Sequence, residues 1–369
     1  PSEAAPLISG QSGVTMRDVE DWRFVNLRLK GLTTERRAPK SGRTFSTWGV
    51  RNILWMNLEM ERFANNVVTD SGFYNNSDGL FVADCHLHDA GACGMFIARA
   101  TRVGFLGNRL QRLHSFEHGY RSQSVDKSYV AHNTFGKDIG IVKTAIQVRG
   151  DTKQAVIAHN RLGETSSFAP ANQNALAFAH HSLVDGNIMT SGFTVGAQDI
   201  TFRNNRMKYE PILVREGERP RGVTSQFAKF DAHMNWGGVC EDIRIYDNTY
   251  RGPALVFAPV NSLFVHENIL VMARAGLEDD NFRGGFHVPH VDEEVHSDRN
   301  LYHAVNTDTG EAVDISEWLK QRRAAGHDQH SKIGDPEFKS LDHESPDFLK
   351  PTPGGPGDGL GAQVSEWGE

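Results

Sequence analysis

A thirteen-residue window recurs along this chain, and it closes almost every time on asparagine. FSTWGVRNILWMN, RSQSVDKSYVAHN, VRGDTKQAVIAHN and FTVGAQDITFRNN are four copies; the full series ends at Asn26, Asn57, Cys85, Asn108, Asn133, Asn160, Asn187, Asn205, Asn248, Asn268 and Asn300. Most intervals fall at roughly 20 to 30 residues, a period that marks a solenoid built from stacked coils.

Within the windows, short alternating apolar runs such as Ile53/Trp55, Ile200/Phe202 and Ile243/Ile245 read as strands, and no helical periodicity is sustained before the C-terminal tail. Asparagine suits a repeated corner because it tolerates left-handed backbone angles, and its amide can bond the asparagine one coil away. The expected fold is therefore all-β, a right-handed parallel β-helix of about 11–12 coils with an Asn ladder, roughly 50 Å long at a strand spacing of about 4.8 Å. Residues 1–13 read as a polar lead-in, 14–305 as the helix, and 306–369 as a tail of the same domain that packs back to seal its end. In that tail, DISEWLKQRR places Asp314 and Glu317 at capping-box spacing before a short helix. The 43 residues between Asn205 and Asn248 fit one extra coil without its Asn, plus a basic loop.

Composition narrows the function classes. Three cysteines, Cys85, Cys93 and Cys240, make neither a disulfide framework nor a zinc site, and Cys85 at a ladder position reads as a buried thiol. No apolar run is long enough to span a bilayer, and no signal peptide stands at Pro1, so a mature secreted or periplasmic chain is expected. Net charge −7, without aromatic RNA-binding motifs, argues against a nucleic-acid partner. Against that acidic background the stretch KGLTTERRAPKSGRT is locally basic, as is the loop carrying Arg215, Arg219, Arg221 and Lys229. Both suit an acidic ligand, and both also suit a solvated loop.

Reactive side chains concentrate in residues 117–160, where the windows ending SYVAHN and AVIAHN follow each other. Ahead of those endings stand Glu117, His118, Tyr120 and Arg121, then Lys143, Gln147, Arg149 and Asp151. Rigid alignment of the windows points Arg121 into the core, where an unpaired guanidinium costs several kcal/mol. Slipping that strand by one residue turns Tyr120 and Ser122 inward and Arg121 and Gln123 outward. The next coil then buries Ile146 and Val148 and exposes Lys143, Ala145, Gln147 and Arg149. Arg121 and Arg149 become neighbours on one face, where an anion between them would relieve their repulsion. A surface ladder neutralised by Glu117 and Asp151 is the alternative. The following coil, ANQNALAFAHH, has small outward residues, with Asn174 at its start and His180 and His181 at its rim; Tyr74 and Trp48 are aromatic candidates for stacking on sugar faces.

The phrases EHxxR (Glu117, His118, Arg121), KxxφxφR (Lys143 to Arg149) and GxDxHSxxxDPxF (Gly326, Asp328, His330, Ser331, Asp335, Pro336, Phe338) resemble those of secreted pectate-lyase-like β-helix proteins, over about residues 14–361. The resemblance implies that the strand opening each window belongs to the first parallel sheet, the floor of a substrate cleft, with the Asn ladder in the second turn. Having Lys and Arg on adjacent coils is similar to alginate and chondroitin lyases. The implied activity is β-elimination on a uronate-containing polysaccharide. Arg149 and Arg121 would hold the carboxylate, Lys143 or His118 would take the C5 proton, and Tyr120 would reach the leaving oxygen only in the unslipped register. Gln147, Gln123, Asn174, His180, His181, Arg215, Lys229 and Tyr74 would line the binding path. No acidic calcium cluster stands beside these residues, so no metal ligand is assigned, and calcium is the cofactor the resemblance would allow. A glycoside hydrolase or transferase using Glu117 and Asp151 is a second reading, and a non-enzymatic glycan-binding rod a third.

Overall fold

The structure is a computed structural model. It describes residues 6–10, 14–31, 43–63, 65–69, 76–90, 93–113, 118–136, 144–162, 174–190, 192–209, 228–230, 240–253, 255–256, 261–277, 286–287 and 295–363. The chain forms two compact units, residues 1–182 with 212–223, and residues 183–211 with 224–369. Both are built from parallel pairings one coil apart, and the architecture is the right-handed parallel β-helix.

In three successive coils of the first unit the chain runs as one long bent strand, a corner and a short strand. Met95–Leu106, His118–Ala131 and Thr144–Ala158 are the long strands. They bend where Arg99 and Arg102, Ser124 and Lys127, and Asp151 and Gln154 all take positive φ. Register stacks Met95 on Tyr120 on Ile146, and Phe105 on Val130 on Ile157, and all six side chains are fully buried. Each such side chain contributes about 1.5–3 kcal/mol of apolar burial, so the inward column holds the stack together. The short strands, Arg109–Gln111, Thr134–Phe135 and Arg161–Leu162, bury Leu110, Phe135 and Leu162 against one another. In the polar lead-in, Leu7–Gly10 pairs with Arg28–Gly31 and starts the sheet of short strands.

The corner divides two jobs that the sequence pattern assigns to one residue. The left-handed position is occupied by Gly107, His132 and His159, and the buried ladder amide follows it at Asn108, Asn133 and Asn160. Asn108 Nδ2 donates to Asn133 Oδ1 at 3.0 Å and Asn133 Nδ2 to Asn160 Oδ1 at 2.9 Å. The backbone N–H of Cys85 donates to Asn108 Oδ1 at 2.9 Å, so Cys85 holds a ladder place, as a buried free thiol pushed up to about 12 by burial. Asn26 and Asn57, expected in the ladder, instead take the left-handed position with φ 58° and 52°. There they bond each other in solvent at 2.6 Å, while buried Leu58 stands where the next amide would be.

In the second unit the ladder runs from Asn187 through Asn205, Asn248 and Asn268 to Asn300, with steps of 2.9–3.1 Å. Asn205 bonds Asn248 directly, and Gln198–Arg203 pairs with Glu241–Tyr246. The expected extra coil therefore does not separate them: the two ladder amides and the two strands are direct neighbours.

The tail supplies one further step. The Asn300 N–H donates to Ser331 Oγ at 3.0 Å, and Lys332–Ile333 pairs with Leu301–Tyr302. The helix is Ser316–Ala324, with Ile315 at its N-cap and no side-chain cap. Asp314 accepts from the Ser316 N–H at 2.9 Å instead, so the expected capping box with Glu317 does not form. Trp318 sets its edge on Tyr302 with ring centroids 5.0 Å apart, and Phe338 and Leu360 cover Ile269, Val271 and Leu301 from outside. The tail thus lies over a sheet face as well as over the last coil.

Candidate functional site

Cross-coil register decides which side chains share the outer face of the long strands. Phe96 stands beside Arg121, and Arg121 beside Gln147; Ala98 stands beside Gln123, and Gln123 beside Arg149. Gln147 and Arg149 pair in turn with Ala175 and Ala177. The slipped arrangement is the one the chain adopts. Phe96 is half-buried on the outer face, and its inward neighbour is Met95.

On this face Arg149 Nη2 donates to Gln123 Oε1 at 2.9 Å, and the Arg121 guanidinium carbon lies 4.8 Å from the Phe96 ring centroid. Arg121 and Arg149 are diagonal neighbours on adjacent strands, each directly opposite a glutamine. Gln147 is only 4% exposed, and its Oε1 has no hydrogen-bond partner among the described residues. The face therefore offers two forked cations with amides between them. That donor set suits a planar carboxylate and its neighbouring hydroxyls.

Tyr120 is not part of it. Its ring is fully buried under Phe105, with centroids 5.3 Å apart, and burial drives its phenol pKa well up. The assignment of Tyr120 to the leaving oxygen is corrected: a one-residue slip puts its side chain in the core. His118 is buried at the start of the same strand, opposite Thr144. Asp151 is exposed at the left-handed bend two residues beyond Arg149. His180 pairs with Lys153 beyond that bend, and burial, with His181 and Lys153 adding to it, holds its imidazole below the ordinary range; His181 is exposed at φ 53°. Asn174 opens the strand Asn174–His180, and Lys229 pairs with Thr194 in a strand of the second unit. Tyr74, Glu117, Lys143 and Arg215 lie outside the described residues.

A second constellation, which the sequence reading missed, lies on the outer face of the short-strand sheet. Glu59–Glu61 pairs with His86–His88, and His86–His88 with Arg109–Gln111, so Glu59 faces His86 and Glu61 faces His88. The two imidazoles are 4.3 Å apart between centroids. His88 Nδ1 lies 2.6 Å from Asp89 Oδ2 and its Nε2 3.3 Å from Glu59 Oε1; His86 Nε2 lies 2.9 Å from Gln111 Oε1. Arg28 Nε holds Glu59 Oε2 at 2.7 Å, and Arg112 holds Asp89. Arg112 and then His88 keep the Asp89 carboxyl far below the usual range despite burial. Burial alone would raise Glu59, and the bonds from Arg28 and His88 bring it below its usual value. The available signal was an i, i+2 histidine pair falling one coil after an i, i+2 glutamate pair.

No family model matches the chain. No curated protein matches it in sequence either. Among solved structures it is similar to a PL6 family alginate lyase, AlyGC, with TM-score 0.46 and 12% identity over 90% of this chain and 51% of that one. It is similar also to a mutant of that enzyme, with TM-score 0.45 and 12% identity over 84% and 53% of the two chains. This chain spans about half the length of each. The fold assignment rests on the chain's own parallel pairings.

Proposed function

We propose that the protein is a polysaccharide lyase that cleaves a uronate-containing glycan by β-elimination on the outer face of the long strands, as a secreted or periplasmic enzyme. The observation that carries this reading is the placement of Arg121 and Arg149 on one strand face, diagonal to each other with glutamines opposite. A uronate carboxylate held there has its charge neutralised, which lowers the energy of the enolate-like species formed when the C5 proton leaves. The base takes that proton, the C4–C5 double bond forms, and the glycosidic oxygen departs as it is protonated. Lys143, in the segment just ahead of the strand that carries Gln147 and Arg149, is the proposed base, and a lysine needs a lowered pKa for that role. Gln123 and Gln147 are proposed to orient the carboxylate and ring hydroxyls, and His180 to border the path.

The test is incubation with a panel of polyuronates and glycosaminoglycans, with and without chelator, following the ultraviolet absorbance of the unsaturated uronate. A rise that disappears in Arg149→Ala supports the reading. New reducing ends without absorbance, or full activity in Arg149→Ala, overturns it.

A further inference from the structure

The Glu59/His86/His88 constellation belongs to a different sheet from the proposed cleft, and the lyase reading makes no use of it. Each of the three residues offers a ligand atom, and those atoms all lie within 4.8 Å of one another. His88 Nε2 and Glu59 Oε1 are 3.3 Å apart. That is long for a hydrogen bond, and it matches the roughly 3.3 Å between two ligands of a tetrahedral ion with bonds of about 2.0–2.1 Å.

Each of the three is also anchored at its other end. Asp89 accepts from His88 Nδ1, so the neutral ring carries its proton there and turns the Nε2 lone pair toward Glu59. Gln111 Oε1 accepts from His86 Nε2, which leaves the lone pair of that ring on Nδ1. Arg28 takes Glu59 Oε2 and leaves Oε1 for His88. A carboxylate–histidine pair, an amide–histidine pair and a guanidinium–carboxylate pair are the outer partners that orient metal ligands. Backbone register on the two paired strands brings the three side chains together without an ion.

We propose that Glu59 Oε1, His86 Nδ1 and His88 Nε2 bind one divalent transition-metal ion of the zinc class, with Arg28, Gln111 and Asp89 orienting them. Two imidazoles and one carboxylate favour zinc, nickel or cobalt over calcium and magnesium, which take oxygen sets. Glu59 and His86 are half-buried, so a fourth position faces solvent and the ion can exchange.

The experiment uses tag-free full-length protein, stripped with chelator and dialysed, then titrated with zinc chloride by calorimetry and native mass spectrometry. The expected result is one saturable equivalent, a raised thermal midpoint and no competition from calcium. His86→Ala, chosen because His86 is half-buried where His88 is buried, should weaken binding at least about tenfold with an unchanged circular dichroism spectrum. Gln111→Ala should weaken it by about tenfold through loss of orientation. Absence of a saturable equivalent overturns the proposal. So does uptake that survives both His86→Ala and Glu59→Gln, which would show an adventitious ion only. None of these readouts depends on glycan cleavage.

Discussion

Arg149 Nη2 donates to Gln123 Oε1 at 2.9 Å across two adjacent coils, so a neutral amide helps to orient the guanidinium. Removing a preorganised donor of this kind costs about 10²–10³ in turnover in enzymes that stabilise a developing anion. Arg149→Ala is expected to lower kcat by that factor on a cleaved polyuronate, and Gln123→Ala to lower it less, since Gln123 positions the arginine. Steady-state absorbance assays on both variants check the order.

The ladder amide of Asn133 accepts from the Asn108 backbone N–H and Nδ2, and donates to the Phe105 carbonyl at 2.8 Å and to Asn160 at 2.9 Å. Asn133→Ala removes the side-chain acceptor of the buried Asn108 N–H and the donors to the Phe105 carbonyl and the Asn160 amide, breaking the ladder at one step. The expected loss is about 3 kcal/mol of stability, read by chemical denaturation, against about 0.5 kcal/mol or less for exposed Asn26→Ala.

Arg322 and Asp328 are both fully buried, with Nε donating to Oδ2 at 2.9 Å. Ser297, Tyr302 and Ser331 donate to Oδ1, so the carboxylate closes the last ladder step. Asp328→Asn keeps the shape and leaves the guanidinium charge uncompensated, a loss of about 3–5 kcal/mol. Earlier proteolysis of the tail than of the preceding coils would accompany it, and a denaturation midpoint equal to that of the parent chain would refute it.

His86, His180, His266 and His303 all have imidazole pKa values lowered, with burial the largest cause in each. The unfolded chain therefore binds more protons than the folded one as pH falls through about 6.5, so stability rises with pH across that window and is lost below it. Denaturation midpoints in chelator should drop between pH 7.5 and pH 5.5. The depressed carboxyls of Glu59, Asp78 and Asp298 add a further loss only nearer pH 4. A flat midpoint from pH 7.5 to 5.5 would refute the histidine contribution.

The tail phrase GxDxHSxxxDPxF was legible as a motif and not as a device. Only contacts show that Ser331 stands in a ladder place, that Asp328 neutralises Arg322, and that His330 meets Asp298 at 2.7 Å. Those partners lie up to 32 residues away in sequence, and nothing local encodes them.

The coil period, the all-β content, the buried thiol at Cys85 and the Asn ladder from Asn108 onward could be read from the chain alone. Each depends on one coil's own needs: a left-handed corner, a buried amide, an alternating strand. The cost of burying the Arg121 guanidinium also made the slipped register, with Tyr120 inward, legible as one of two choices; which of the two holds, the displacement of Asn26 and Asn57 from the ladder, and the meeting of Glu59 with His86 and His88 were decided by tertiary structure. Strand side chains alternate with a period of two, so a slip of one residue exchanges the two faces, and only pairing with the next coil sets that register.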